Sequence, residues 1–261
     1  MTVFITGATD GLGRALAERL AAEGHPLILH GRDAGKLADT AAALGDTVLA
    51  DLADLAQVRK LANDVRGLTD QLDVFVSNAG IGGGPTRETN ADGHELTFLV
   101  NYLSGFLLTL ELLPLLRASA PARIVNVASL GQHPLDLADL MIERGYDQSR
   151  AYSQSKLAQI MSGFELAERL PAGEVTVNSL HPGTYMPTKM VLSTIGYSVD
   201  TLETGVESTA RLAVGADVEG VTGRFFDRLR DTRADDQAYD VAARRELWRR
   251  SLALVDHADI S

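Results

Sequence analysis

A chain of 261 residues, 45% of them hydrophobic and with no low-complexity run, is long enough to bury one large core. Its formal charge of −11, with no basic run outside Arg244, Arg245, Arg249 and Arg250, argues against nucleic acid or an anionic membrane as partner; those arginines read as a solvated, salt-bridged helix face. With no cysteine, no ligand spacing among six histidines, and a start, MTVFITG, without a basic leader or long apolar run, the chain reads as a metal-free cytoplasmic protein with no membrane segment.

The predicted strands, in chain order, cover residues 2–6, 26–30, 47–50, 72–77, 123–128, 175–180 and 223–226. Helical patterns separate them, as in GRALAERLAAEG, where Leu16 and Leu20 continue the spacing set by Leu12 and Gly24 is a stop signal. Strand alternating with helix predicts one doubly wound α/β Rossmann domain over residues 1–261, with about seven parallel strands and helices on both faces. Ligands of such a sheet bind outside the carboxyl ends of its strands, so the residues that follow each strand are the candidates for chemistry.

The first strand runs into TGATDGLG, which supplies Thr6, Gly7, Asp10, Gly11, Leu12 and Gly13. Glycines at a strand-to-helix junction let the backbone approach a phosphate, and the helix that follows offers free N–H groups. The spacing is neither the P-loop nor G-x-G-x-x-G, so a glycine turn without a ligand is the alternative. The second strand ends in Gly31-Arg32 with no carboxylate at its tip. A guanidinium there suits the 2′-phosphate of NADP(H), with His30 assisting if it faces outward, without closing the site to NAD(H). Alternatively, Arg32 is a surface residue paired with Asp33. After the third strand, Asp51 could accept from an adenine amino group and Leu52 cover the ring, or Asp51 could cap a helix. After the fourth, the small run Asn78, Ala79, Gly80 would let a ribose lie against the backbone.

In AYSQSK, Tyr152 and Lys156 are four positions apart, on one face if the segment is helical. A cation about 4 Å from a phenol, at an effective dielectric of 20, favours its ionised form by about 4 kcal/mol, enough to pull it toward the working range of an acid/base.

The runs TGATDGLG, DL, SNAG, VNYLSG, RIVNVAS, YSQSK and VNSLHPG, in this order over nearly the whole chain, resemble the short-chain dehydrogenase/reductase family. The segment LGQHPLDLADLMIERGYDQSRA and the tail GRFFDRLRD…ARRELWRRSLAL are similar to its retinol dehydrogenase and protochlorophyllide reductase branch. The resemblance implies a catalytic set of Asn101, Ser129, Tyr152 and Lys156. Ser129 would hydrogen-bond the substrate oxygen, Asn101 would hold a relay water, and Lys156 would also bind the nicotinamide ribose. It further implies that Pro182, Gly183 and either Thr184 or Thr188 lie at the nicotinamide carboxamide, this chain having one residue more than the commonest family spacing. Ala128-Ser129 replaces the usual Ser-Ser, leaving the second serine in place.

The implied activity is an NADP(H)-preferring interconversion of a small-molecule carbonyl and alcohol, with reduction of a C=C bond or non-catalytic NADP(H) sensing as alternatives. A homodimer or homotetramer would follow from the resemblance, with a monomer left open. Substrate-side loops are expected at about 130–150 and 183–205. In the first, Leu135, Leu137, Leu140, Met141 and Tyr146 either contact substrate or cover the core.

Overall fold

The β-branched apolar runs form strands β1 (Val3–Ile5), β2 (Leu27–Gly31), β3 (Asp46–Leu49), β4 (Val74–Ser77), β5 (Ala122–Val127), β6 (Val175–His181) and β7 (Arg224–Asp227), all mutually parallel. The computed structural model describes residues 1–171 and 173–260. An eighth strand, β8 (Arg230–Thr232), is added antiparallel to β7, so the sheet runs β3-β2-β1-β4-β5-β6-β7-β8 rather than ending at seven parallel strands. β8 is three residues long and carries Arg230 and Asp231, too short and too polar for an alternating pattern to register.

The helices are α1 (Gly11–Ala22), α2 (Ala34–Leu44), α3 (Leu55–Leu68), α4 (Leu96–Phe98), α5 (Ser104–Ala118), α6 (Gln148–Arg169), α7 (Lys189–Thr194), α8 (Leu202–Val214) and α9 (Val241–Leu254). Asp10, Asp33, Asp54, Asp147 and Asp240 cap α1, α2, α3, α6 and α9 by accepting from first-turn amides that have no partner within the helix. The cap of α3 is therefore Asp54, and Asp51 lies outside that role.

Alternation along the strands divides the core. Phe4, Ile28, Phe75, Ile124 and Val177 face the larger cluster, shared with α3, α5, α6 and α9. Val3, Ile5, Leu29, Val76 and Val125 face the other, closed by α1 and α8. Helix α4 passes through a π turn at Leu99–Leu103 into α5 without a break. The stretch Leu96–Ala118 is long and apolar enough to cross a bilayer, but 72% of its most apolar window is buried inside the protein, as expected of a core helix.

One surface reading needs correction. Arg249 and Arg250 do share Glu246 on the open face of α9, but Arg244 is only 4% exposed and pairs with Glu168 and Glu165 of α6. In the 130–150 segment, Leu135 and Leu140 are buried in the larger core and Leu137 and Met141 pack against it. The Gln154 amide donates to Leu140 O, Gln237 brackets Leu135 from both sides, and the Tyr146 hydroxyl donates to Gly84 O. Of the two readings of this loop, the structure supports the cover over the core.

Candidate active site

The chain leaves β1 toward β2 on one side, and β4 opens the other half of the sheet, so a crevice forms between the carboxyl ends of β1 and β4. Its walls are tied together by Thr6 and Asn78. Thr6 Oγ1 accepts from the amides of Asn78 (3.0 Å) and Ala79 (3.1 Å), while Asn78 Nδ2 donates to Thr6 O (2.8 Å) and Gly7 O (3.2 Å). Gly7 and Gly11 have φ of 67° and 52°, a left-handed conformation that only glycine adopts readily. A Cβ on Gly13 would stand 2.2 Å from Gly7 O, so α1 can begin this close to the turn only without a side chain there. The Asp10 carboxylate takes the Gly11 amide (2.8 Å), and the Leu12 and Gly13 amides point from the first turn with no acceptor inside the helix.

His30 faces inward, contrary to a place beside a 2′-phosphate. The Gly7 amide donates to its Nδ1 at 3.2 Å, so the proton sits on Nε2, which donates to Ala50 O at 3.1 Å. Burial holds the imidazole below its ordinary range and keeps it neutral. Arg32 is exposed, and Asp33 does not neutralise it: the Asp33 carboxylate accepts from the Lys36 amide at 3.0 Å as the cap of α2. Among the described residues Arg32 forms no ion pair. Lys36 instead reaches Asp10 across the mouth of the turn at 2.9 Å. Asp51 uses Oδ1 for the Ala53 amide (2.9 Å), and Leu52 is buried in the larger core.

Four polar side chains come together at the ends of β4 and β5. Asn101 sits in the π turn, where the widened helix carries it under the residues after β4. Its Oδ1 accepts from the Ile81 amide (2.7 Å), and its Nδ2 donates to Ile81 O and Ser155 Oγ, both at 3.0 Å. Ser129 follows β5, accepts from the Gly131 amide (3.0 Å) and stands close enough to Tyr152 to favour its phenolate. Burial pushes the Tyr152 phenol up and the neighbouring Ser129 hydroxyl pulls it part of the way back. Lys156 lies 5.8 Å from the centre of the Tyr152 ring. Its ammonium donates to Val127 O (2.9 Å) and Gln159 Oε1 (3.0 Å) and makes no hydrogen bond to the phenol, and burial lowers it to about 8. The expected pull of Lys156 on Tyr152 is therefore absent in this state. A Cβ on Gly80 would lie 3.3 Å from Asn101 Oδ1 and 3.4 Å from Lys156 Nζ, which places that bare backbone directly over both.

The two candidate threonines separate clearly. Thr184 Oγ1 is held by His181 Nε2 (3.0 Å) and Arg228 Nη2 (3.1 Å), and its amide donates to Asp200 (2.6 Å). Arg228 also pairs with Asp200, closing the neck of the loop from Thr184 to Asp200. Thr188 instead caps α7, and its Cγ2 lies 3.2 Å from where a Gly11 Cβ would stand, against the glycine-rich turn. Gly183 packs beside Met186 and Asp200, and Pro182 O accepts from Ser208 Oγ (3.1 Å). Sequence reasoning missed Gln159, Ile81 and Ser155. Gln159 was within reach of a spacing argument, being three residues past Lys156 on one helix face.

A family model described as short chain dehydrogenase matches residues 1–195. Retinol dehydrogenase 13 of Mus musculus is 36% identical, the match covering 97% of this chain and 83% of that protein. Retinol dehydrogenase 14 of Homo sapiens is also 36% identical, over 95% of this chain and 84% of its own length. Among solved structures, an uncharacterized protein from Mycobacterium paratuberculosis superposes with a TM-score of 0.79 at 28% identity, covering 100% of this chain and 95% of its own. The Pseudomonas aeruginosa RhlG/NADP active-site complex superposes with a TM-score of 0.70 at 27% identity, covering 87% of this chain and 93% of that one.

Proposed function

The chain belongs to the short-chain dehydrogenase family, in its retinol dehydrogenase branch, and is an oxidoreductase; from that premise we propose that it prefers NADP(H) and interconverts an apolar alcohol of the retinol class with its carbonyl form. The observation that carries the reading is the meeting of Ser129, Tyr152, Lys156 and Asn101 beside the bare backbone of Gly80, at the crevice end that also holds the glycine-rich turn. A dinucleotide fits what is there. The Leu12 and Gly13 amides and the positive end of α1 suit its pyrophosphate, Arg32 suits a 2′-phosphate, and the second Asp51 oxygen suits an adenine amino group. Asn78, Ala79 and Gly80 would lie along its ribose, and Pro182, Gly183 and Thr188 at its carboxamide end, Thr184 being occupied by His181 and Arg228.

When bound, the cofactor supplies or accepts the hydride. Tyr152, like any phenol, holds its proton at neutral pH, and desolvation strengthens that hold more than Ser129 weakens it. At neutral pH it is thus set as an acid facing the substrate oxygen, with Ser129 as a second donor that stabilises developing alkoxide. Lys156 has three N–H donors and uses two on Val127 O and Gln159, leaving the third for a ribose hydroxyl. Asn101, with its amide committed to Ile81 and Ser155, fixes the segment on which that ribose would rest.

The test combines NADPH and NADH with retinal and a panel of shorter aldehydes and ketones, following loss of reduced-nicotinamide absorbance. Retinal turnover with NADPH is expected; no turnover of any carbonyl by an enzyme that binds the cofactor would remove the reading. Fluorescence titration should show NADPH bound about 10- to 150-fold more tightly than NADH, since a charge-assisted hydrogen bond is worth about 1.5–3 kcal/mol. Arg32→Ala should abolish that ratio, and an unchanged ratio would take Arg32 out of the role.

A further inference from the structure

Gln159 belongs to no motif, yet it is 3% exposed and holds the only side-chain oxygen, among the described residues, that Lys156 donates to. It stands one turn past Lys156 on α6 and is one of the residues lining a cavity of about 20 Å³ between the helix and the sheet, with Ser77, Asn126 and Ser162 among the others. Close packing forms this pocket. A Cβ on Gly163 would stand 3.0 Å from Asn126 Nδ2, and one on Gly105 would stand 2.7 Å from Ser77 Oγ. The Gln159 side chain therefore has a fixed seat, with an oxygen turned to the ammonium at 3.0 Å.

The surroundings of Lys156 make that oxygen matter. A buried ammonium needs a carboxylate or several good acceptors. Among the described residues no carboxylate faces it: β5 offers Val127 O, the turn after β4 offers Gly80, and the π turn offers Asn101, all neutral. From its own helix come Gln159 and the titratable Tyr152, whose ring centre is 5.8 Å from the ammonium. We propose that Gln159 is a positioning residue for Lys156, holding the ammonium between β5 and Gly80 and keeping it charged.

The inference rests on the part given to Lys156 in the proposed function, so its test reads Lys156 itself rather than turnover. The chain has only four lysines, and ¹³C-labelled lysine gives four side-chain signals, with that of Lys156 assigned by its loss in Lys156→Arg. In Gln159→Leu the charged form loses an acceptor, and its titration midpoint should fall by about one pH unit; in Gln159→Glu it gains a counter-charge, and the midpoint should rise by at least as much. Opposite movements are what a residue acting only through packing would not produce. Midpoints that stay put, or move the same way in both variants, overturn the proposal. If Gln159→Leu does not fold, Gln159→Glu decides the matter: no upward movement overturns it. Opposite movements in a protein that reduces no carbonyl would sink the proposed function and leave this inference standing.

Discussion

A phenol is protonated at neutral pH in any case, and burial raises Tyr152 further with Ser129 only partly compensating, while the Lys156 ammonium is turned toward Val127 O and Gln159. Tyr152→Phe removes one oxygen and leaves the ring beside Lys156. Turnover should fall by about 10²- to 10⁴-fold, the usual worth of a positioned acid, with NADPH affinity unchanged in a fluorescence titration. A comparable loss of affinity would mean that the phenol belongs to cofactor binding instead. The residues that meet here were legible in the sequence, because Tyr152 and Lys156 share a helical spacing and the motifs that carry all four follow the order of a family. What escaped reading depends on partners far along the chain. Thr184 and Thr188 are told apart by His181 and Arg228, which occupy the hydroxyl of the first, and Arg244 resembles a surface arginine until Glu165 and Glu168 close on it.

The elements were placed correctly wherever periodicity had room to act, and β8 and the long loop show where it did not. Three residues carry no period, and the apolar positions of the 130–150 segment fit a substrate rim as well as a core cover until Gln154 and Gln237 pin its backbone. The junction of β1 with α1 makes a sharper prediction. Gly13→Ala puts a methyl group 2.2 Å from Gly7 O and 2.5 Å from Asn78 Nδ2, so the helix or the turn must move. Overpacking of this kind costs about 1–3 kcal/mol, and here it also shifts the amides proposed for the pyrophosphate. Denaturant unfolding should show that loss, and NADPH titration should show binding lost with it. Gly67→Ala in α3 is the contrast: nothing lies within 4 Å of the new methyl group, so stability should rise by about 0.4–1 kcal/mol with cofactor affinity unchanged. Equal behaviour of the two variants would mean that the turn tolerates repacking.

For the molecule as a whole, the buried lysine couples folding to pH in a window where few other groups titrate. In the folded chain Lys156 is lowered to about 8 by burial, against an ordinary value of 10.5. Below pH 8 both states carry the proton, and the buried charge weighs on the folded state alone. Above it the folded state releases the proton while the unfolded state keeps it, so the unfolded chain binds more protons and stability rises with pH. Tyr102 and Tyr152 act in the opposite sense, since burial raises both and the unfolded chain ionises first; their contribution begins near 10, which closes the window. Between pH 8 and about 9.5 the cofactor-free protein should therefore gain about 2 kcal/mol from Lys156, at about 1.4 kcal/mol per pH unit. Lys156→Met removes the titrating group and keeps most of the volume. Its urea-unfolding free energy should exceed that of the wild type at pH 7, and the difference should shrink steadily toward pH 9.5. A difference that stays constant across this range would show that Lys156 does not titrate there, and would remove burial of its charge as the cost the fold bears for keeping a lysine at the site.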